Sequence, residues 1–238
     1  MKPETIWERG NRIVEEAGFE VKRDFYKNST LFFPGLTVEN HRYLTPFRGN
    51  RRLKNLERLL QRIINENDND NENRFEGTWL YRPPVMVSAL FLIEHAYSHF
   101  LHEGLTWRML LDWVLFCRRH GEEMDWKALE GYVDEFGFRR FYETFDAIGK
   151  EAFDENEHEN ENFLPLTSDF LHRKQLMLSD IWSPLDVHET VRGVKGKLAL
   201  AGNTWRARWK YRHFTEMNWM QALWIQVKGV LFEGEPRL

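Results

Sequence analysis

Leu36-Thr37-Val38-Glu39-Asn40-His41-Arg42-Tyr43-Leu44 decides how this chain is read. Branched and aromatic residues alternate with polar ones, which is the two-residue period of an extended strand. That period puts Thr37, Glu39, His41 and Tyr43 on one face and Val38, Asn40 and Arg42 on the other. Burying a carboxylate beside an imidazole is costly without a partner or a task. The Glu39–His41 face is therefore either a solvated face of an open sheet or a chemically used one.

The surroundings extend the sheet. Residues 4–17 read as a helix with Ile6, Trp7, Ile13, Val14 and Ala17 as its apolar positions, and Gly18 as its stop. Phe19 to Lys27 alternates like a strand. Asn28-Ser29 reads as a turn, Leu31-Phe32-Phe33 as a return strand, and Pro34-Gly35 as the punctuation before residues 36–44. The unit is one helix and an antiparallel meander.

Near residue 50 the period changes from two to helical. Leu53, Leu56, Leu59, Leu60, Ile63 and Ile64 predict a helix over 51–64. The run from Asn65 to Asn73 has nothing to place in a core and reads as a solvated loop. As a calcium loop it has Asp68, Asp70 and Glu72 at alternate positions. Asn73, however, stands where glycine is required, and Trp79 where the bidentate Glu belongs. From residue 83 helices follow at 85–102, after Thr106, at 126–136, 138–153, 167–180, 188–212 and 218–232, with a second polar loop from Asp154 to Asn162. The fold class is α+β: a small antiparallel sheet with one helix over 1–50, a helix-and-loop connector over 51–82, and a mainly α-helical domain over 83–238.

Bulk composition narrows the classes. Ten Trp and 18 Phe point to a helical core filled with aromatic rings, and a formal charge of −4 gives no reason to expect non-specific nucleic-acid binding by the whole chain; no specific nucleic-acid partner is expected either. Cys117 is the single cysteine, so an internal disulfide framework is excluded and a buried thiol is expected. Residues 1–20 lack the apolar core of a signal peptide. No apolar run reaches the ~20 residues of a membrane span, and a cytoplasmic protein is expected.

Three further groupings could carry chemistry. His95, His99 and His102 form a stripe on one helix. His95 and His99, at i and i+4, could share a metal or line a cleft, or be helix-edge histidines bonded to neighbours. His102 lies about 10.5 Å along the axis from His95, too far for all three to share one ion. Arg108 and Asp112 are an i, i+4 pair, either solvated or cleft-facing. Lys195, Lys197, Arg206, Arg208, Lys210 and Arg212 alternate with Trp205, Trp209 and Tyr211. That segment, 195–212, reads as a packed helix with a basic side, or as a peripheral contact with an anionic membrane surface or nucleic acid.

Glu39-Asn40-His41-Arg42-Tyr43-Leu44 resembles the V-E-x-H strand of a poorly characterised bacterial family of nucleotidyltransferase-like proteins with a polymerase-beta-type palm. His95-Ala96-Tyr97-Ser98-His99-Phe100, followed by Glu103-Gly104-Leu105-Thr106-Trp107-Arg108-Met109-Leu110-Leu111-Asp112-Trp113, resembles that family's helical signature. The segment from Tyr132 to Arg140, Trp209-Lys210-Tyr211-Arg212 and Leu223 to Gly229 are similar as well. The resemblance implies metal-dependent transfer of a nucleoside monophosphate from a nucleoside triphosphate to an acceptor, with Mg²⁺ held by carboxylates. It makes Glu39 the third carboxylate and a metal ligand, sets His41 beside it as a catalytic residue, and places His95, His99, Arg108 and Asp112 along a substrate cleft. The family's first two carboxylates form an acid pair after a Gly-Ser turn on an earlier strand. This chain has no Gly-Ser dipeptide, and its only D-x-D, Asp68 to Asp70, follows the Glu39 strand. The expectation is thus a catalytically incomplete palm: a truncated product, a fragment, a degenerate relative, or one part of a split enzyme completed by a partner chain. The alternative is a non-catalytic binding or interaction module.

Overall fold

A computed structural model describes residues 5–24, 28–45, 47, 50–67, 82–153, 167–183 and 202–231. Its elements are α1 (Ile6–Glu16), β1 (Glu20–Asp24), β2 (Asn28–Phe33), β3 (Leu36–His41), α2 (Arg51–Glu66), α3 (Val85–His102), α4 (Trp107–His120), α5 (Trp126–Glu135), α6 (Arg139–Phe153), α7 (Ser168–Trp182), α8 (Arg208–Phe214) and α9 (Trp219–Leu231). The architecture is α+β, as the change of period predicts. The calcium-loop candidate, Asp68 to Trp79, and the polar run from Asp154 lie outside the described residues.

α1 starts where Thr5 and Glu8 satisfy each other's amides. Thr5 Oγ1 accepts from Glu8 N, and the Glu8 carboxylate accepts from Thr5 N at 2.8 Å. It stops at Gly18, whose φ of +85° is a conformation that other residues reach only with strain. The chain then runs β1-β2-β3 as an antiparallel meander. Asn28 and Ser29, expected in a turn, are instead the first residues of β2, paired with Asp24 and Arg23 of β1. The reason is tertiary: the Ser29 hydroxyl is buried and donates to Asn11 Oδ1 of α1 at 2.6 Å. Likewise β3 ends at His41 rather than Leu44, because the backbone of Leu44 and Thr45 turns to meet α2.

That turn is fixed by Glu57, a fully buried carboxylate on α2. It accepts from Leu44 N at 3.2 Å, Thr45 N at 2.8 Å, Thr45 Oγ1 at 3.0 Å and Gln61 Nε2 at 2.9 Å. Four donors satisfy the charge in place of water, so the buried Glu is tolerated. Leu56 and Leu60 of the same helix are wholly buried in the cluster that forms the core of the helical body.

The core of that body is aromatic, as the composition predicts. Phe100 of α3 meets Phe141 of α6 at 5.5 Å, Trp209 at 5.9 Å and Phe214 of α8 at 4.8 Å, centroid to centroid. Trp113 is buried on α4 and donates its indole N–H to Asp146 Oδ1 of α6 at 2.8 Å. Cys117 is half-buried. Residues 202–206 form a helical turn that leads into α8. No helix among the described residues is long and apolar enough to cross a membrane.

At the centre of the helices sits an ion pair. Lys210 of α8 is fully buried, and its Nζ lies 2.6 Å from Asp180 Oδ1 of α7 and 2.5 Å from the Phe100 carbonyl that ends α3. Asp180 Oδ2 accepts from Leu105 N at 3.1 Å, between α3 and α4. Burial pushes the Lys210 ammonium below the ordinary lysine range, and Asp180 pulls it back. Removing only one partner leaves the other charge in the core. Lys210→Met is therefore expected to cost about 3–5 kcal/mol in urea denaturation, and Lys210→Met with Asp180→Asn to recover at least half of that. A single substitution that leaves the unfolding midpoint unchanged would refute this account.

Candidate functional site

β3 has two unlike faces. Towards α1, Asn40 is built into a small polar lock. Its Nδ2 donates to Asn11 Oδ1 at 2.9 Å and to Trp7 O at 3.3 Å, while Trp7 Nε1 donates to Asn40 O at 2.9 Å. Arg42 lies beside this lock, its guanidinium 5.5 Å from the Trp7 ring and 5.4 Å from the Tyr43 ring. The lock fixes the strand's orientation, and the two-residue period then turns Glu39 and His41 to the face away from α1.

On that face His41 Nε2 and Glu39 Oε2 are 3.0 Å apart. The Glu39 side chain is 59% exposed and that of His41 26%, so carboxylate charge is offered to solvent and the ring is held. His41 Nδ1 is buried and finds no hydrogen-bond partner among the described residues. When Nε2–H donates to Glu39, Nδ1 carries the lone pair. β3 is one edge of the described sheet, and it exposes Leu36 and Val38.

The helical candidates are distributed differently. On α3, His95 and His99 meet ring edge to ring face with centroids 4.5 Å apart, and His95 stacks on Phe91 at 5.5 Å. His99 Nδ1 lies 2.9 Å from Glu103 Oε2. Among the described residues, no group of three or more His, Cys, Asp or Glu is arranged to hold a metal ion. Arg108 and Asp112 face each other at 3.8 Å on α4, their side chains 88% and 50% exposed, the geometry of a solvated i, i+4 pair. Of segment 195–212, the described part begins at 202. There Arg208 stacks over the half-exposed Trp205 ring at 4.1 Å, while Lys210 and Tyr211 are in the core.

Sequence reasoning missed Glu94. It is α3's only acid, is 1% exposed, and lines a cavity between α2, α3, the turn before α6 and the α8–α9 region. The signal was present: one carboxylate in an 18-residue helix otherwise made of apolar residues, Ser, Tyr and His. That cavity is separate from the Glu39 face, since no β3 residue contributes to its lining.

Residues 2–153, from the start of the chain to the end of α6, match the model of a family described as uncharacterised nucleotidyltransferase, and the chain belongs to that family. No curated protein and no solved structure gives a match.

The two faces of β3 should separate in mutagenesis. Asn40→Ala leaves buried Asn11 short of a partner and is expected to cost about 1–3 kcal/mol and to speed hydrogen exchange of the β3 amides. Glu39→Ala, one residue away on the opposite face, should shift stability by less than about 0.5 kcal/mol. Equal losses from both would show that Glu39 is structural.

Proposed function

We propose, on the premise of membership in the uncharacterised nucleotidyltransferase family, that this chain presents the third-carboxylate strand of a nucleotidyl-transfer site and does not complete that site by itself. One observation carries the reading. An edge strand locked on one face by Asn40 offers, on its other face, an exposed carboxylate steadied by an imidazole. A carboxylate meant only to satisfy the fold would be enclosed by donors, as Glu57 is.

Mg²⁺ is the ion implied, and the described residues do not make a two-metal site for it. Such sites need shared carboxylates, and here one carboxylate stands with one imidazole. What the chain's own residues supply is narrower. Glu39 places negative charge at the sheet surface. His41 restrains its rotamer through the Nε2 contact. The missing carboxylates would come from outside the described residues, on a partner polypeptide that adds to the sheet along β3, where backbone edge and the apolar side chains of Leu36 and Val38 are open. The substrate of the completed site would be a nucleoside triphosphate. The same open edge also supports the second reading, a binding module that pairs with another chain and does no chemistry.

Titration calorimetry with Mg²⁺ and ATP, GTP, CTP or UTP separates these. The expected result is Mg²⁺-dependent binding of at least one nucleotide, lost in Glu39→Ala, with no pyrophosphate released by the chain alone. Absence of binding with all four nucleotides would overturn the transferase reading and leave the binding module. Pyrophosphate release would overturn incompleteness.

A further inference from the structure

Three helices in mutual contact bring cationic side chains together. α6 carries Arg140, α7 carries His172, and α8 carries Arg212 and His213. The His172 and His213 rings meet edge to face with centroids 5.1 Å apart, which joins α7 to α8. Arg140, His172 and Arg212 are exposed, and His213 is half-buried. Among the described residues, neither the Arg140 nor the Arg212 guanidinium has an ion pair or a hydrogen bond. Arginines at other junctions are paired. Arg52 Nη1 lies 2.6 Å from Glu216 Oε2 of the turn ahead of α9, and Arg139 Nη2 lies 2.5 Å from Asp134 Oδ2 of α5.

The acids close by are already engaged. Asp169 of α7, which faces His213, pairs with Arg173, and Glu143 of α6 pairs with the same arginine at 3.5 Å. His213 therefore stands in a field of its own sign. Loss of water holds its ring below the ordinary histidine range. His172, Arg212 and Arg140 push the same way, and Asp169 opposes them. Arginine charge is permanent, and like charges gathered without partners add nothing to the fold. An anion among them relieves the repulsion and gains charge-assisted hydrogen bonds. The planar fork of a guanidinium matches a pair of phosphate oxygens.

We propose that Arg140, His172, Arg212 and His213 form a binding site for a phosphate dianion, with His213 taking up a proton from the medium as the anion arrives. The phosphate is either inorganic or carried on an organic body, and the cluster reads the group that both share. The pH dependence follows from linkage. A bound dianion favours the imidazolium, so the His213 pKa is higher in the complex than in the free protein. Affinity is then flat above the pKa of the complex and rises as pH falls from there towards the lower pKa of the free protein. None of the four residues lies on β3. This site does not depend on the nucleotide reading, and either can fail alone.

Calorimetry on the full chain with inorganic phosphate and with phenyl phosphate is the first test. Saturable binding is expected, and the tighter of the two shows whether the phosphate is free or esterified. Arg140→Gln and Arg212→Gln should each weaken it at least roughly fivefold. Arg62→Gln, the same loss of charge at an exposed position of α2, should leave it unchanged. Sulfate, a dianion that does not titrate in this range, isolates the protein's own proton. Its affinity at constant ionic strength should rise at least roughly threefold between about pH 8 and pH 5.5, and the rise should shrink in His213→Ala. In proton NMR of the unaltered protein, the His213 ring should titrate at higher pH in sulfate than in chloride. No saturable binding below roughly 10 mM, an equal loss in Arg62→Gln, or a sulfate affinity indifferent to pH would each overturn the proposal.

Discussion

The arrangement of the helices depends on the buried contact between Lys210 and Asp180. The Lys210 ammonium is wholly buried and bridges Asp180 of α7 and the carbonyl of Phe100 that closes α3, while Asp180 also holds the amide of Leu105 at the approach to α4. Four segments converge on one cation that water cannot reach. The aromatic rings around it, Phe100 at 4.7 Å and Trp209 at 5.4 Å from Nζ, present π-faces that tolerate a cation better than aliphatic walls would. Apolar packing alone would leave helices of this kind free to slide and rotate. A buried pair with fixed hydrogen bonds selects one arrangement. The cavity beneath Tyr211, the residue next to Lys210, inherits its shape from that selection.

The sheet end is organised by the same logic, with neutral side chains at α1 and a buried carboxylate on α2. Ser29 and Asn40 both donate to Asn11 Oδ1 between α1 and the sheet, and Glu57 accepts from the backbone where the chain leaves β3. These polar contacts lie on the structural side of the strand. The other side is left open, with Glu39 and His41 on it. Solvated charge there adds little to stability.

Much of this was legible in the sequence, and the rest was hidden for definite reasons. Period two around Glu39 and period 3.6 after residue 50 are local signals, and they located the sheet, the helices up to α7 and the face that carries Glu39 with His41; of the helix expected over 188–212, the described part breaks at Ala207. The Asn28-Ser29 pair misled because Asn and Ser favour turns only when no distant partner claims them. Here Asn11, far off in sequence, claims Ser29. Lys210 looked like one member of a basic surface stripe, since nothing local reports that Asp180 and the Phe100 carbonyl will enclose it. Arg108 and Asp112 have the spacing of a helix-surface pair and that geometry in the structure, where their exposure shows a solvated contact. Glu94 went unread because its neighbours mark it as core, and a carboxylate there becomes meaningful only once a cavity is seen beside it.

The Arg52–Glu216 pair has one more consequence. It ties α2 to the turn ahead of α9, and Gly137 beside it has a φ of +74°, a backbone conformation that other residues reach only with strain. Exposed pairs of this kind are screened by salt over about 8 Å at physiological ionic strength, whereas the buried Lys210–Asp180 pair is screened far less. Ionic strength therefore acts on this surface tie and not on the buried core behind it. Added salt should loosen the hold of α2 on the turn ahead of α9 while leaving the packing of the helices unchanged.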